Sequence, residues 1–128
     1  MEENKELKDR ELLKVSGGAG EKAAANSAVV ERATQELEKP YAWGAVGPES
    51  YDASGLVSYC ITGVHCRIGT PGTFMGWTRV SDPQPGDICT SSSHCGIYIS
   101  PGCMIHAPTY GQVVSYGPIP DDMIIVRP

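Results

Sequence analysis

A chain of 128 residues is long enough for one domain with a real hydrophobic core and too short for two of ordinary size. Its formal charge of -5 argues against nucleic acid or an anionic membrane surface as the main partner, because both attract basic patches. No apolar run approaches the ~20 residues needed to span a bilayer, and charges recur where a Sec-type signal would carry its apolar stretch.

Residues 1–18 differ in composition from the rest of the chain. They are charged, carry Leu7, Leu12, Leu13 and Val15 as their main apolar residues, and end in Gly17-Gly18. The apolar spacing predicts an amphipathic helix that the glycines terminate. Leu7, Glu11, Leu12, Val15, Gly17 and Gly18 stand where double-glycine leader peptides of bacteriocin-like exports carry the same residue types. This resemblance implies docking of the helix on a peptidase-containing ABC exporter and cleavage after Gly18. The cytoplasmic precursor would then yield a mature bacterial protein, residues 19–128, secreted without a Sec signal. Glycines suit this, since a residue without Cβ threads a narrow protease cleft.

From Glu21 to Lys39, Val30, Ala33 and Leu37 recur at helical spacing and Pro40 closes the segment, predicting a helix that packs on the domain. A Gly- and Pro-punctuated loop runs from Tyr41 to Tyr51, then a turn, Tyr51-Asp52-Ala53-Ser54-Gly55-Leu56-Val57, opens a helix over about 54–61. Residues 62–85 show no sustained period and read as irregular structure with one short helix near Phe74 to Trp77. His65, within that segment, is expected to be a solvated loop residue. Beyond Pro85-Gly86-Asp87 the pattern changes to short strands over about 87–91, 94–99, 103–108, 112–116 and 122–127. Helices first and antiparallel strands after make an α+β domain.

The turn at 51–57 has the form of a nucleophile turn without a nucleophile. A helix N-terminus presents unpaired N–H groups and the positive end of the helix dipole, which stabilise a thiolate or an oxyanion. Ala53 uses neither. Downstream, His94 and His106 fall on consecutive strands joined by a hairpin, where one imidazole can hold the other in the manner of a general base and its orienting partner. No third ligand stands at a spacing useful for metal, so neither metal nor cofactor is expected. Strand alternation turns Cys95 away from His94 with Ile97 and Ile99, so Cys95 is not a replacement nucleophile. Among the five cysteines, Cys89 and Cys95 are the pair a hairpin turned by Ser91-Ser92-Ser93 would set opposite one another, as a disulfide or as buried free thiols.

Tyr41-Ala42-Trp43-Gly44, Gly47-Pro48, the turn at 51–57, Pro85-Gly86-Asp87, His94-Cys95-Gly96-Ile97-Tyr98 and Ile105-His106-Ala107-Pro108 together resemble the NlpC/P60 family of papain-like cysteine peptidases. The resemblance implies that family's α+β fold, with N-terminal helices packed on a small antiparallel sheet. It implies that position 53 is the catalytic cysteine's place, His94 the base and His106 the residue orienting it. Tyr41, Asp52 and Ser54 would line the substrate side, with Asp52 accepting from a substrate amine or capping the helix, and Trp43 would form a wall. The implied substrate is a peptidoglycan stem peptide cut between γ-D-glutamate and a diamino acid. Alanine at position 53 departs from this pattern. It leaves three readings: a cysteine-to-alanine form of an exported peptidase, a natural pseudoenzyme that binds stem peptides, or a bacteriocin-like antagonist.

Overall fold

The computed structural model describes residues 17–128, with side-chain surroundings from residue 26 onward. Helix α1 spans Gly17–Gln35, α2 spans Ala53–Thr62 and α3 spans Pro71–Phe74. The six strands are β1 Thr78–Arg79, β2 Ile88–Thr90, β3 Cys95–Ser100, β4 Cys103–His106, β5 Ser115–Pro118 and β6 Ile124–Arg127. They form one sheet of order β1-β6-β2-β3-β4-β5, antiparallel throughout. The domain is α+β as expected, and no described helix is long and apolar enough to cross a membrane.

Gly17 and Gly18 are helical, within α1, rather than extended. Leu7, Glu11, Leu12 and Val15 lie outside the described residues. The buried residues of α1 are Val29 and the expected Ala33, with the expected Val30 only half-buried; Glu36, just past the helix end, is buried and Leu37 half-buried. The helix stops at Gln35 instead of Lys39 because Glu38 takes a left-handed φ of 77° and the chain turns into a bridge between Pro40 and Val113. Val113 and Val114 are spent on that contact, so β5 begins at Ser115, later than the expected 112–116 strand.

α2 starts at an Asp52 cap and ends at Gly63, whose φ of 76° is the left-handed closing position glycine accepts without strain. Its apolar residues Leu56, Val57 and Cys60 are fully buried with Ile88, Cys95, Ile97 and Ile105 from the sheet. At roughly 1.5–3 kcal/mol for each fully buried large aliphatic side chain, this contact fixes the helix on the strands. The other sheet face carries Cys89, Tyr98 and Met104 against Ile119, Met123 and Ile125. The short helix sits at Pro71–Phe74 rather than Phe74 to Trp77, because Thr70 and Thr73 form a reciprocal capping box and Pro71 fits the first turn. β1 has no signal in the sequence; its two exposed residues show no alternation and gain their place by pairing with β6.

Asp87 has no exposed surface and is held by Arg127 at 2.7 and 2.8 Å, by the Gln84 amide at 2.7 Å and by Asn26 at 3.3 Å. The contact joins α1, the β2 entrance and β6 in one charged knot. Cys89 pairs with Gly96 and Cys95 with Thr90, which puts the two cysteines on opposite faces; all five cysteines are free, and the Cys89–Cys95 disulfide is excluded.

Candidate active site

Asp52 is the extended residue that caps α2, and each of its carboxylate oxygens accepts twice. Oδ1 takes the Gly55 amide at 2.8 Å and Arg67 at 3.0 Å. Oδ2 takes the Gly44 amide at 2.8 Å and the other Arg67 arm at 3.0 Å. Arg67 also donates to Ser54 Oγ. The loop before the turn is tied down by Ala42 N–H to Tyr51 O at 3.1 Å and Asp52 N–H to Ala45 O at 3.0 Å. Gly55 is required here because a Cβ would collide with the Ala45 carbonyl. The amides of Ala53 and Ser54, at the head of the helix, make no hydrogen bond among the described residues. They are free to receive an anion from the direction in which the helix dipole favours one.

Across the cleft, the β3–β4 hairpin sets Ile97 opposite Ile105 and brings His94 Nε2 to 2.8 Å from His106 Nδ1, with the rings at 74°. Burial lowers the pKa of His94. Burial, with His94 as a further influence, brings that of His106 down to about 4. Both rings are therefore neutral near pH 7. When His94 donates from Nε2 to His106, its Nδ1 carries the lone pair, the tautomer a general base on that edge requires. A Cβ on Gly117 of the neighbouring strand would strike the His106 ring, so the smallest residue leaves the space the ring fills.

A cleft of about 420 Å³ is lined by Ala53, Ser54, Asp52, Arg67, His94, Tyr41, Trp43, Gly44, Thr70, Pro71, Ser93 and Pro108. It thus gathers every expected site residue of the domain except His106, which reaches it through His94. Trp43 is 77% exposed and Tyr41 packs edge-on against Tyr110 at 5.2 Å. Burial first, then the Asp52 charge, raises the Tyr41 pKa, keeping its hydroxyl protonated.

His65 is exposed, as expected, but it has partners: it stacks on Tyr59 at 4.4 Å and hydrogen-bonds the Val46 carbonyl at 2.9 Å. None of the five cysteines lines the cleft, and burial pushes the Cys95 thiol far up. The residue that sequence reasoning missed is Arg67. It stands in a segment without periodicity and belongs to none of the motifs quoted. Nothing in the sequence marks it, because Arg67 and Asp52 stand 15 residues apart and meet only in the fold.

His94 stands immediately before β3 rather than on it as expected, and an α+β domain in which a helix N-terminus faces a histidine at the head of a strand across one cleft is of the papain-like class. A family model described as "NlpC/P60 family" matches residues 38–124, and the chain belongs to that family. It is 38% identical over 123 residues to a "Probable endopeptidase" of Mycobacterium bovis, covering 86% of this chain and 31% of that protein. A "Probable endopeptidase p60" of Listeria grayi is 38% identical over 98 residues, covering 70% of this chain and 19% of the relative. The chain thus spans about a third or less of the length of these curated relatives. Among solved structures, a mutated form of the Resuscitation Promoting Factor Interacting protein RipA superposes with a TM-score of 0.72 at 28% identity, covering 82% of this chain and 62% of that one. The NlpC/p60 domain of the peptidoglycan hydrolase SagA gives 0.66 at 30% identity, covering 80% and 98%.

Proposed function

We propose that this chain is the scaffold of a cysteine peptidase acting on peptidoglycan stem peptides, at the γ-D-glutamyl–diamino acid bond, in a form that lacks its nucleophile. The observation that supports this best is the 2.8 Å His94–His106 pair in a neutral, oriented state, with His94 lining the same cleft as Ala53 at the head of α2. The thiol of a cysteine at position 53 would pass its proton to His94 as its sulfur attacks the carbonyl carbon, and the resulting thioester would later be hydrolysed by water. The unpaired amides at the head of α2 would receive the oxyanion, and His94 would return the proton to the leaving amine. Because its relatives include endopeptidases and its structural neighbours a peptidoglycan hydrolase, a cell-wall substrate is the natural class for this cleft.

The test is Ala53→Cys. This variant should cleave purified peptidoglycan into fragments identified by mass, while the Ala53 chain should not. Absence of cleavage of either diamino-acid type would remove the enzymatic reading. Ala53 itself favours a second reading, a natural pseudoenzyme that binds stem peptides without cutting. The codon of the encoding gene separates the two, since a cysteine codon at position 53 identifies a substituted enzyme. A bacteriocin-like antagonist would instead remain toxic to other cells as the Ala53 form.

Export through a peptidase-containing ABC transporter is the proposed route, with residues 1–18 as a leader and secretion to the cell wall or medium. Mass spectrometry of the secreted protein should find Ala19 at its start. Leu12→Ala and Gly17→Val should both impair the cut, through lost docking area and a branched Cβ in the protease cleft. A secreted form retaining Leu7 to Gly18 would remove the leader.

A further inference from the structure

The sequence suggests that Asp52 meets a substrate amine, and the geometry points the other way. A carboxylate offers about four acceptor positions. All four at Asp52 are filled from within the chain, by the Gly55 and Gly44 amides and by two arms of Arg67. Asp52 is also the only carboxylate in the cleft lining among the described residues. A substrate ammonium drawn into this cleft would therefore lose water without gaining an anionic partner, which is costly for a charged group.

Arg67 has the opposite imbalance. Of its five N–H groups, two serve Asp52 and one Ser54, leaving two without a partner among the described residues. Its side chain is 29% exposed and lines the cleft. The cleft thus offers donors where the sequence suggests an acceptor. We infer that Arg67 is a specificity residue which makes the cleft select stem peptides whose N-terminus is acylated, as it is while the peptide remains joined to glycan. Acylation removes the ammonium and supplies a carbonyl oxygen that the spare Arg67 N–H groups can meet. The inference rests on the stem-peptide reading above.

The experiment is calorimetry of the full Ala53 chain with L-Ala-γ-D-Glu-diaminopimelate, with a free and with an acetylated N-terminus. The acetylated peptide should bind about tenfold or more tightly at pH 7, a difference near one decade in Kd. Affinity for the free peptide should rise as pH passes its amine pKa, at about 8. In Arg67→Gln, shown folded by its melting transition, the released carboxylate should accept the ammonium and narrow the preference about tenfold. Equal or tighter binding of the free peptide by the unchanged chain, or affinity that falls as the amine loses its proton, overturns the inference while leaving the stem-peptide reading intact. An unmoved preference in folded Arg67→Gln overturns Arg67 as the selector. Binding of neither peptide removes the stem-peptide reading and the inference together.

Discussion

Gly117 on β5 lies so close to His106 on β4 that a single added methyl would occupy the place of the imidazole. The glycine therefore sets the position of a ring that lies 2.8 Å from the His94 ring. In the Ala53→Cys background, Gly117→Ala should lower kcat by about tenfold or more, since misplacing a general base forfeits part of a 10²–10⁴-fold contribution. KM should change little, because Gly117 is not part of the cleft lining. Turnover of a soluble stem peptide, with a melting curve alongside, checks this; a fall in KM-derived affinity alone would contradict it.

The neutral histidine pair gives stability a direction in pH. The folded state lowers the His106 pKa to about 4, while an unfolded histidine titrates near its ordinary value of about 6.5. Below that value the unfolded chain takes up a proton the folded chain resists. This contribution to stability is whole above about pH 6.5 and is lost as pH falls toward 4; solvent screening of the half-buried ring keeps it to about 1–2 kcal/mol. Denaturation midpoints at pH 7, 5 and 4 should show the decline, and His106→Asn should reduce it. An equal decline in both proteins would assign the effect to the buried carboxylates.

Asp52→Asn should destabilise the fold. Asparagine caps helices nearly as well as aspartate, but its amide places two hydrogens among four donors and leaves Arg67 without its counter-charge. Loss of the bidentate pair and one backbone contact should cost about 2–3 kcal/mol, seen as a lower melting temperature before any ligand is added.

The Asp87–Arg127 knot should behave non-additively. Arg127→Met strands a carboxylate with no exposed surface and should cost about 3 kcal/mol or more. Asp87→Asn combined with Arg127→Met should cost less than the sum of the single changes, because both charges leave together. Urea titration of the four proteins measures the coupling.

What sequence made legible was whatever short-range pattern encodes. The order of helices and strands, the capped start at 52–55 and the opposite orientation of His94 and Cys95 all come from spacing and alternation. What escaped depends on contacts distant in the chain. Arg67 acquires its meaning only when α2 brings Asp52 to it, and β1 exists only because β6 lies beside it. The end of α1 and the start of β5 moved for one shared reason, the bridge at Pro40 and Val113. The Asp52 role moved because a carboxylate's vacancy is invisible until its partners are counted.

The cysteines give the domain a clock. Cys60, Cys89 and Cys95 are free and sealed inside, with burial pushing the Cys89 thiol up to about 12, whereas Cys66 is exposed. A sealed thiol is neither ionised nor reachable until its surroundings open. Under a steady alkylating reagent, mass spectrometry would record an early adduct from Cys66 and later ones whose spacing times the opening of the sheet and its helix. A thiol introduced at position 53 would join the early group and announce itself by one additional mass increment before the interior yields.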